Sequence, residues 1–205
     1  MTNSSARASS ARVRCRAPLL AAAALFLSGC QPDTRAQQTP NNPSEDAELV
    51  PAPELRKSPM AVAAATLEND TYVKIVYSSP RKRGRRIFGG LVPYGEVWRT
   101  GANEATEITV TRPVLLAGNR LEAGTYALFT IPKRDTWTVI VNATLGQWGA
   151  YDYDASTDVM RFEVPSSDTD KMYEAFVISV EEGRDGKNLN MVWEETMISI
   201  PISPA

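Results

Sequence analysis

Beyond residue 70 the chain repeats one theme, a short run in which apolar and polar side chains alternate, closed by glycine, proline, asparagine or aspartate. TYVKIVYSS alternates through Tyr72 to Tyr77 and is rich in β-forming residues, which predicts an early half-buried strand. PRKRGRRIFGG follows as a charged turn and another short apolar element. EITVTRPVLL and TYALFTIP predict two more strands, joined by AGNRLEAG, whose glycines and asparagine suit tight connections. The series continues with TWTVIVN, DVMRFEVP, YEAFVISVEE and NMVWEETMISI, whose lengths and turn-bounded spacing favour antiparallel strands over helices. In LNMVWEETMISI the residues Leu189, Met191, Trp193 and Glu195 hold alternate positions until the phase becomes ambiguous near Met197 and Ile198. The whole set predicts an all-β chain, a single antiparallel β-sandwich or jelly-roll-like domain with two facing sheets around one core.

The first residues break this pattern. RVRCRAPLLAAAALFLSGC combines a basic start, a short apolar run and a small-residue end, and the run is too short for an ordinary membrane span. Leu27-Ser28-Gly29-Cys30 looks like the lipobox of bacterial lipoproteins. That resemblance implies a signal peptide over 1–29 and a lipid on the Cys30 sulfur, so that the membrane is a partner through Cys30. Ordinary signal-peptidase cleavage with Cys30 free is the alternative. Gln31 stands where an inner-membrane retention signal usually has Asp, so the expected place is the cell envelope, lipid anchored, with the outer membrane favoured in a Gram-negative host.

Removing the leader changes the charge balance. The full chain has 22 basic and 24 acidic residues, and without Arg7, Arg12, Arg14 and Arg16 the balance is 18 to 24, a formal charge of -6. So acidic a chain is a poor nucleic-acid binder, and no nucleic-acid partner is expected. Cys15 leaves with the leader, so Cys30 remains as the sole cysteine and no intramolecular disulfide forms. Residues 30–65, rich in proline, asparagine, glutamine and acidic groups, read as a flexible tether with little apolar surface to offset ordering entropy. MAVAAATLEN, at its end, either adds a short strand or docks loosely, and the β domain is expected over 66–205.

Four segments of that domain, SPRKRGRRIFGGLVPYGEVWRTGANEAT, LEAGTYALFTIP, WTVIVN and LGQWGAYDYD, resemble the bacterial family called domain of unknown function 2911. The likeness runs from about Tyr72 to Ile200. It implies a compact β domain, commonly secreted or membrane anchored, and supplies no catalytic residues.

Candidate chemistry sits in two clusters. In GGLVPYGEVWRTGANEAT, Arg99 offers a planar donor fork to a carboxylate, Asn103 offers a donor and an acceptor, and Glu104 or Glu96 orients a ligand or pairs with Arg99. A local turn network is the structural alternative, and Trp98 is expected to pack beneath the turn. In NATLGQWGAYDYDASTD, Gln147, Trp148, Tyr151 and Tyr153 either form a wall against a sugar or other amphipathic ligand, or cover the edge of a sheet. Whether this loop touches Arg99 is left open by the sequence. Asp152, Asp154 and Asp158 carry oxygens suited to calcium but lack the EF-hand glycine and closing acid. With no histidine in the chain, Ser-His-Asp and Cys-His catalysis are excluded, zinc is disfavoured, and neither a metal nor a cofactor is expected.

The functional expectation is a lipid-anchored envelope protein with a noncatalytic ligand-binding or interaction role. The partner is a glycan, a small molecule or an envelope protein. The alternative is a glycan-recognising or glycan-hydrolysing protein, in which Glu96 and Glu104 would serve as the carboxylate pair.

Overall fold

A computed structural model describes residues 56–183 and 186–205. The leader, Cys30 and the tether through residue 55 therefore lie outside the described residues. The strands are β1 (Met60–Thr66), β2 (Tyr72–Ser78), β3 (Thr106–Val110), β4 (Val114–Leu116), β5 (Asn119–Leu121), β6 (Gly124–Pro132), β7 (Thr136–Asn142), β8 (Asp158–Gly183) and β9 (Gly186–Pro204). They form one nine-stranded sheet in the order β1-β2-β3-β6-β7-β8-β9-β4-β5. Every pairing in it is antiparallel.

The all-β, sandwich-like expectation holds. The sheet folds back on itself because β8 serves both halves: Asp158–Pro165 pairs with β7, while Ser166–Gly183 pairs with β9. Val73, Ile75, Ile108 and Val139 from the first half share one buried cluster with Leu116, Ile178, Leu189 and Ile200 from the second. DVMRFEVP and YEAFVISVEE, expected as two strands, are thus one strand, interrupted by register shifts between Asp168, Tyr173 and Val177. EITVTRPVLL divides instead. Its β3 joins β2 and β6, while its β4 crosses to β9, because Pro113 between them lacks an N–H for a continuing ladder.

The sheet also begins earlier than the expected boundary at residue 66. β1 pairs with β2 along its whole length, from Met60 opposite Ser78 to Thr66 opposite Tyr72. Its apolar pattern is inverted: small Ala61 and Ala63 face inward, whereas Met60 and Val62 are 62% and 60% exposed. Alanine favours helix over strand, so local preference hides a strand that pairing with β2 creates.

Residues 79–105, between β2 and β3, form a long connection that packs on the sheet through Ile87, Phe88, Val92 and Trp98. The Trp98 ring stacks on Trp193 with centroids 6.1 Å apart and meets Trp137 and Phe176 edge-on at 6.0 and 5.1 Å. Each such buried ring contributes on the order of 2–3 kcal/mol. Trp98 lies beneath the turn as expected, with its Nε1 donating to the Gly101 carbonyl at 3.0 Å.

A second fastening is polar. Glu194 accepts from the Ile87 backbone N–H at 3.0 Å and pairs with Lys82 at 2.8 Å, both side chains being more than four-fifths buried. The basic run is thereby partly absorbed into the fold, since Arg85 also donates to the carbonyls of Lys82 and Arg81. Glu194→Ala should lower stability by about 3 kcal/mol, because it strands a buried N–H and an ammonium together. Glu194→Gln, still able to accept from Ile87, should lose less. Denaturant midpoints of the two variants measure the difference, and equal losses would show that the charge alone matters.

Candidate functional site

Two backbone hydrogen bonds, which together make one antiparallel bridge, join the two candidate clusters. Ala105 N–H donates to the Gln147 carbonyl and Gly149 N–H to the Asn103 carbonyl, each at 2.9 Å, and Glu104 bridges antiparallel to Trp148. The aromatic loop is therefore tied to the segment that carries Arg99. Beneath the loop, Ala105, Ala127, Phe129 and Ile140 form a small second core on the outer face of the sheet, with Tyr153 packed on Phe129 at 5.0 Å.

Arg99 is half-buried on the wall of a cleft of about 390 Å³, whose lining also includes Arg85, Glu96, Trp98, Asn103 and Trp193. Among the described residues its side chain makes no hydrogen bond or ion pair, and its Nε is fully buried without a partner. A buried donor left in this state costs about 1–3 kcal/mol until something accepts from it. Arg85 in the same cleft is already bonded to carbonyls, and Glu96 is exposed.

The backbone around Arg99 is strained. Thr100, fully buried, holds φ at 54°, a left-handed conformation that costs a β-branched residue roughly 1–2 kcal/mol. Three contacts hold it there: its Oγ1 bonds to Thr130 Oγ1 at 3.2 Å and to the Trp98 carbonyl at 3.4 Å, and its carbonyl accepts from Thr106 Oγ1 at 2.7 Å. Strain of this kind persists only where the surroundings fix it. Gly101 follows because even a methyl group there would stand 3.0 Å from the Ser78 carbonyl oxygen. Asn103, at φ 59°, suits the left-handed region better than most residues, and its Nδ2 donates to the Ser58 carbonyl and to Ser78 Oγ at 3.2 Å each.

The remaining candidates divide into structural and exposed groups. Gln147 is buried, with Nε2 donating to the Thr144 carbonyl at 2.8 Å, so it supports the loop from within. Trp148 and Tyr151 are 55% and 83% exposed. Glu104 does not pair with Arg99. Both its oxygens accept from Arg56 Nη1, at 2.6 and 2.8 Å, and Arg56 belongs to the segment expected to be tether. Burial is the largest single influence on the Glu104 carboxyl and raises its pKa. Hydrogen bonds from Arg56, its own backbone and Ser78, together with the Arg56 charge, outweigh burial and hold the carboxyl below its ordinary 4.5. Glu104 faces a small hollow beside Met60, Val76 and Gly146, whereas Glu96 lines the larger cleft.

A family model described as a protein of unknown function (DUF2911) matches residues 58–202. The chain belongs to the DUF2911 family. It matches no curated protein and no solved structure. The DUF2911 match starts ahead of β1 and so includes the alanine-rich edge strand, Ser58 and the strained segment around Thr100.

Among the described residues of this DUF2911 domain, no three His, Cys, Asp or Glu side chains gather as a metal site. The aspartates of the aromatic loop have structural partners. Asp154 accepts from Ser156 N–H at the start of a 3₁₀ turn, and Asp158 accepts from Asn142, Tyr153 and Arg161. Burial, followed by the bond to Asp158 and its charge, pushes the Tyr153 hydroxyl up to about 12 against the opposing influence of Arg161. Tyr153 is thus a clasp of the loop, unlike exposed Tyr151.

The Arg56–Glu104 pair has a pH signature. A carboxyl whose folded pKa lies below its unfolded value stabilises fully above the unfolded pKa, and that contribution is lost as pH falls through the folded value. Both partners are solvent-screened, so the effect is small. The gap in thermal midpoint between the wild type and Glu104→Gln should therefore close as pH falls from about 6 to about 3. A gap that stays constant over that range would mean that Glu104 carries no such linkage.

Proposed function

We propose that this domain is a noncatalytic binding module that takes a carboxylate-bearing ligand at Arg99, held at the cell envelope by a lipid on Cys30. The observation that carries the reading is the unpartnered guanidinium. Arg99 stands on a cleft wall with a buried, unsatisfied Nε and is fixed beside a strained, over-determined Thr100. An internal turn network would have given Arg99 a carbonyl or a carboxylate. Glu104 is bound to Arg56 instead, and Glu96, which lines the same cleft, makes no ion pair with Arg99 among the described residues. A ligand carboxylate offers the parallel acceptors that a guanidinium fork matches best.

Lipidation rests on the Leu27-Ser28-Gly29-Cys30 box, and the outer membrane is the favoured destination in a Gram-negative host. The ligand is a small molecule or a glycan, and an envelope protein presenting a carboxylate is the remaining partner class. Glycan recognition draws support from the exposure of Trp148 and Tyr151. Glycan hydrolysis draws little. It needs one carboxyl protonated near neutral pH, whereas the Glu104 pKa is shifted downward and Glu96 lines a different recess.

Ligand-detected NMR on the full chain in detergent should show a saturable response to small aliphatic carboxylates. Arg99→Lys should weaken it by about tenfold or more while thermal unfolding stays cooperative, since an ammonium cannot reproduce the fork. Equal binding by the folded variant would refute the Arg99 site. Separately, an alkyne-tagged fatty acid fed to expressing bacteria should label the wild type and fail to label Cys30→Ser. Equal labelling of the two would remove the anchor.

A further inference from the structure

We propose that the ligand is an acidic sugar, one whose ring lies against Tyr151 while its carboxylate meets Arg99. This rests on the Arg99 reading above and adds the second half of the site.

The key position is Gly149, at φ 74°. An ideal Cβ placed there would stand 2.9 and 3.0 Å from Cε2 and Cδ2 of Tyr151 and 3.5 Å from Nη1 of Arg99. The phenol ring and the guanidinium therefore border the same space, the one a side chain at Gly149 would fill, from residues 52 positions apart in the chain (151 less 99). Gly149 is in turn fixed to the Arg99 segment by its N–H bond to the Asn103 carbonyl at 2.9 Å. The ring is thus braced at one edge by the main chain, yet Tyr151 remains 83% exposed. An aromatic ring at the surface of a folded protein usually turns part of itself inward, and Tyr153, two residues on, does so by packing on Phe129. Tyr151 instead presents its apolar surface to water beside a cation without a partner.

Two chemistries coincide there. The C–H face of a pyranose packs on an aromatic ring, and a guanidinium takes a carboxylate in a paired hydrogen bond. A small carboxylate engages only Arg99, and a neutral sugar engages only Tyr151. A hexuronic acid engages both, and Trp148, three residues earlier in the same loop, is itself 55% exposed. Two of the surrounding acids are engaged elsewhere, Glu104 by Arg56 and Glu107 by Gly146 N–H at 3.1 Å. Glu96 is the acid that faces the Arg99 cleft.

NMR titrations of the full chain with acetate, a neutral hexose, a hexuronic acid and a short hexuronic oligomer test this. The hexuronic ligands should bind about tenfold tighter than either acetate or the hexose, the combined worth of stacking and ion pairing. Tyr151→Ala should erase that preference and leave the acetate response intact, whereas Arg99→Lys should lose both. Gly149→Ala gives a second approach, because its methyl group displaces the Tyr151 ring and should reduce the preference without removing Tyr151. If acetate binds and hexuronic acids bind no tighter, the acidic-sugar inference fails while the Arg99 site stands. If the hexose binds as tightly as the acid, the charge has no role and the inference fails as well. Silence from every carboxylate overturns both.

Discussion

The stack of Trp98 on Trp193 is the contact on which the rest of the candidate site depends. Trp193 belongs to β9, in the half of the sheet reached last by the chain, while Trp98 belongs to an irregular connection with no strand of its own. Isolated backbone bridges tie the segment 79–105 to the sheet, Trp98 to Thr130 of β6 and Arg81 to Ala175 of β8, and side chains supply the rest of its hold. Three tryptophans and two phenylalanines meeting at ring distances do this, and the Glu194 carboxylate closes the same segment at Lys82 and Ile87. Arg99 follows Trp98 directly, so its placement is inherited from the buried aromatic cluster together with the backbone bridge of Trp98 to Thr130 on β6.

How far the sequence discloses this varies by element. β2 is legible because one face is buried and the other only partly, so alternation survives in its residues, whereas β6 and β7, buried on both faces over 127–130 and 139–142, are legible from their β-forming residues and the turns that bound them. In β9 the alternation itself records the fold: Leu189, Met191 and Trp193 face inward, then Ile198, Ile200 and Ile202 do, and the change of parity follows Glu194 at φ 54°. The ambiguous phase near Met197 is the trace of that single left-handed residue. β1 is only half legible, as a short strand or a loosely docked segment, since its inward residues are alanines and its larger side chains face out. Pro113 shows a third case, in which one apolar run serves two halves of the sheet and only the missing N–H marks the break.

The candidate residues follow the same logic. Arg99, Trp148 and Tyr151 stand out by side-chain type, and the structure brings their segments together. Their supports do not stand out. Nothing local marks Arg56 as the partner of Glu104, because the pair joins residues that only the β1–β2 hairpin brings close. Gln147 has the chemistry of a ligand contact but a buried position, which period and propensity do not reveal in an irregular loop. Thr100 gives no warning at all, since a threonine is an unfavourable choice for the conformation that its neighbours impose.

The entry of the chain into the domain has a mechanical meaning. Before β1 begins, Arg56 is bound to Glu104, the Lys57 carbonyl to Arg83, the Ser58 carbonyl to Asn103, and the Pro59 carbonyl to Ser79 N–H. Tension applied to the preceding segment would load these contacts first and the β1–β2 ladder afterwards, one rung at a time from Met60. Two of the four end on residues of the candidate site, so a pull on the chain would be felt at Asn103 and Glu104 before any strand gave way.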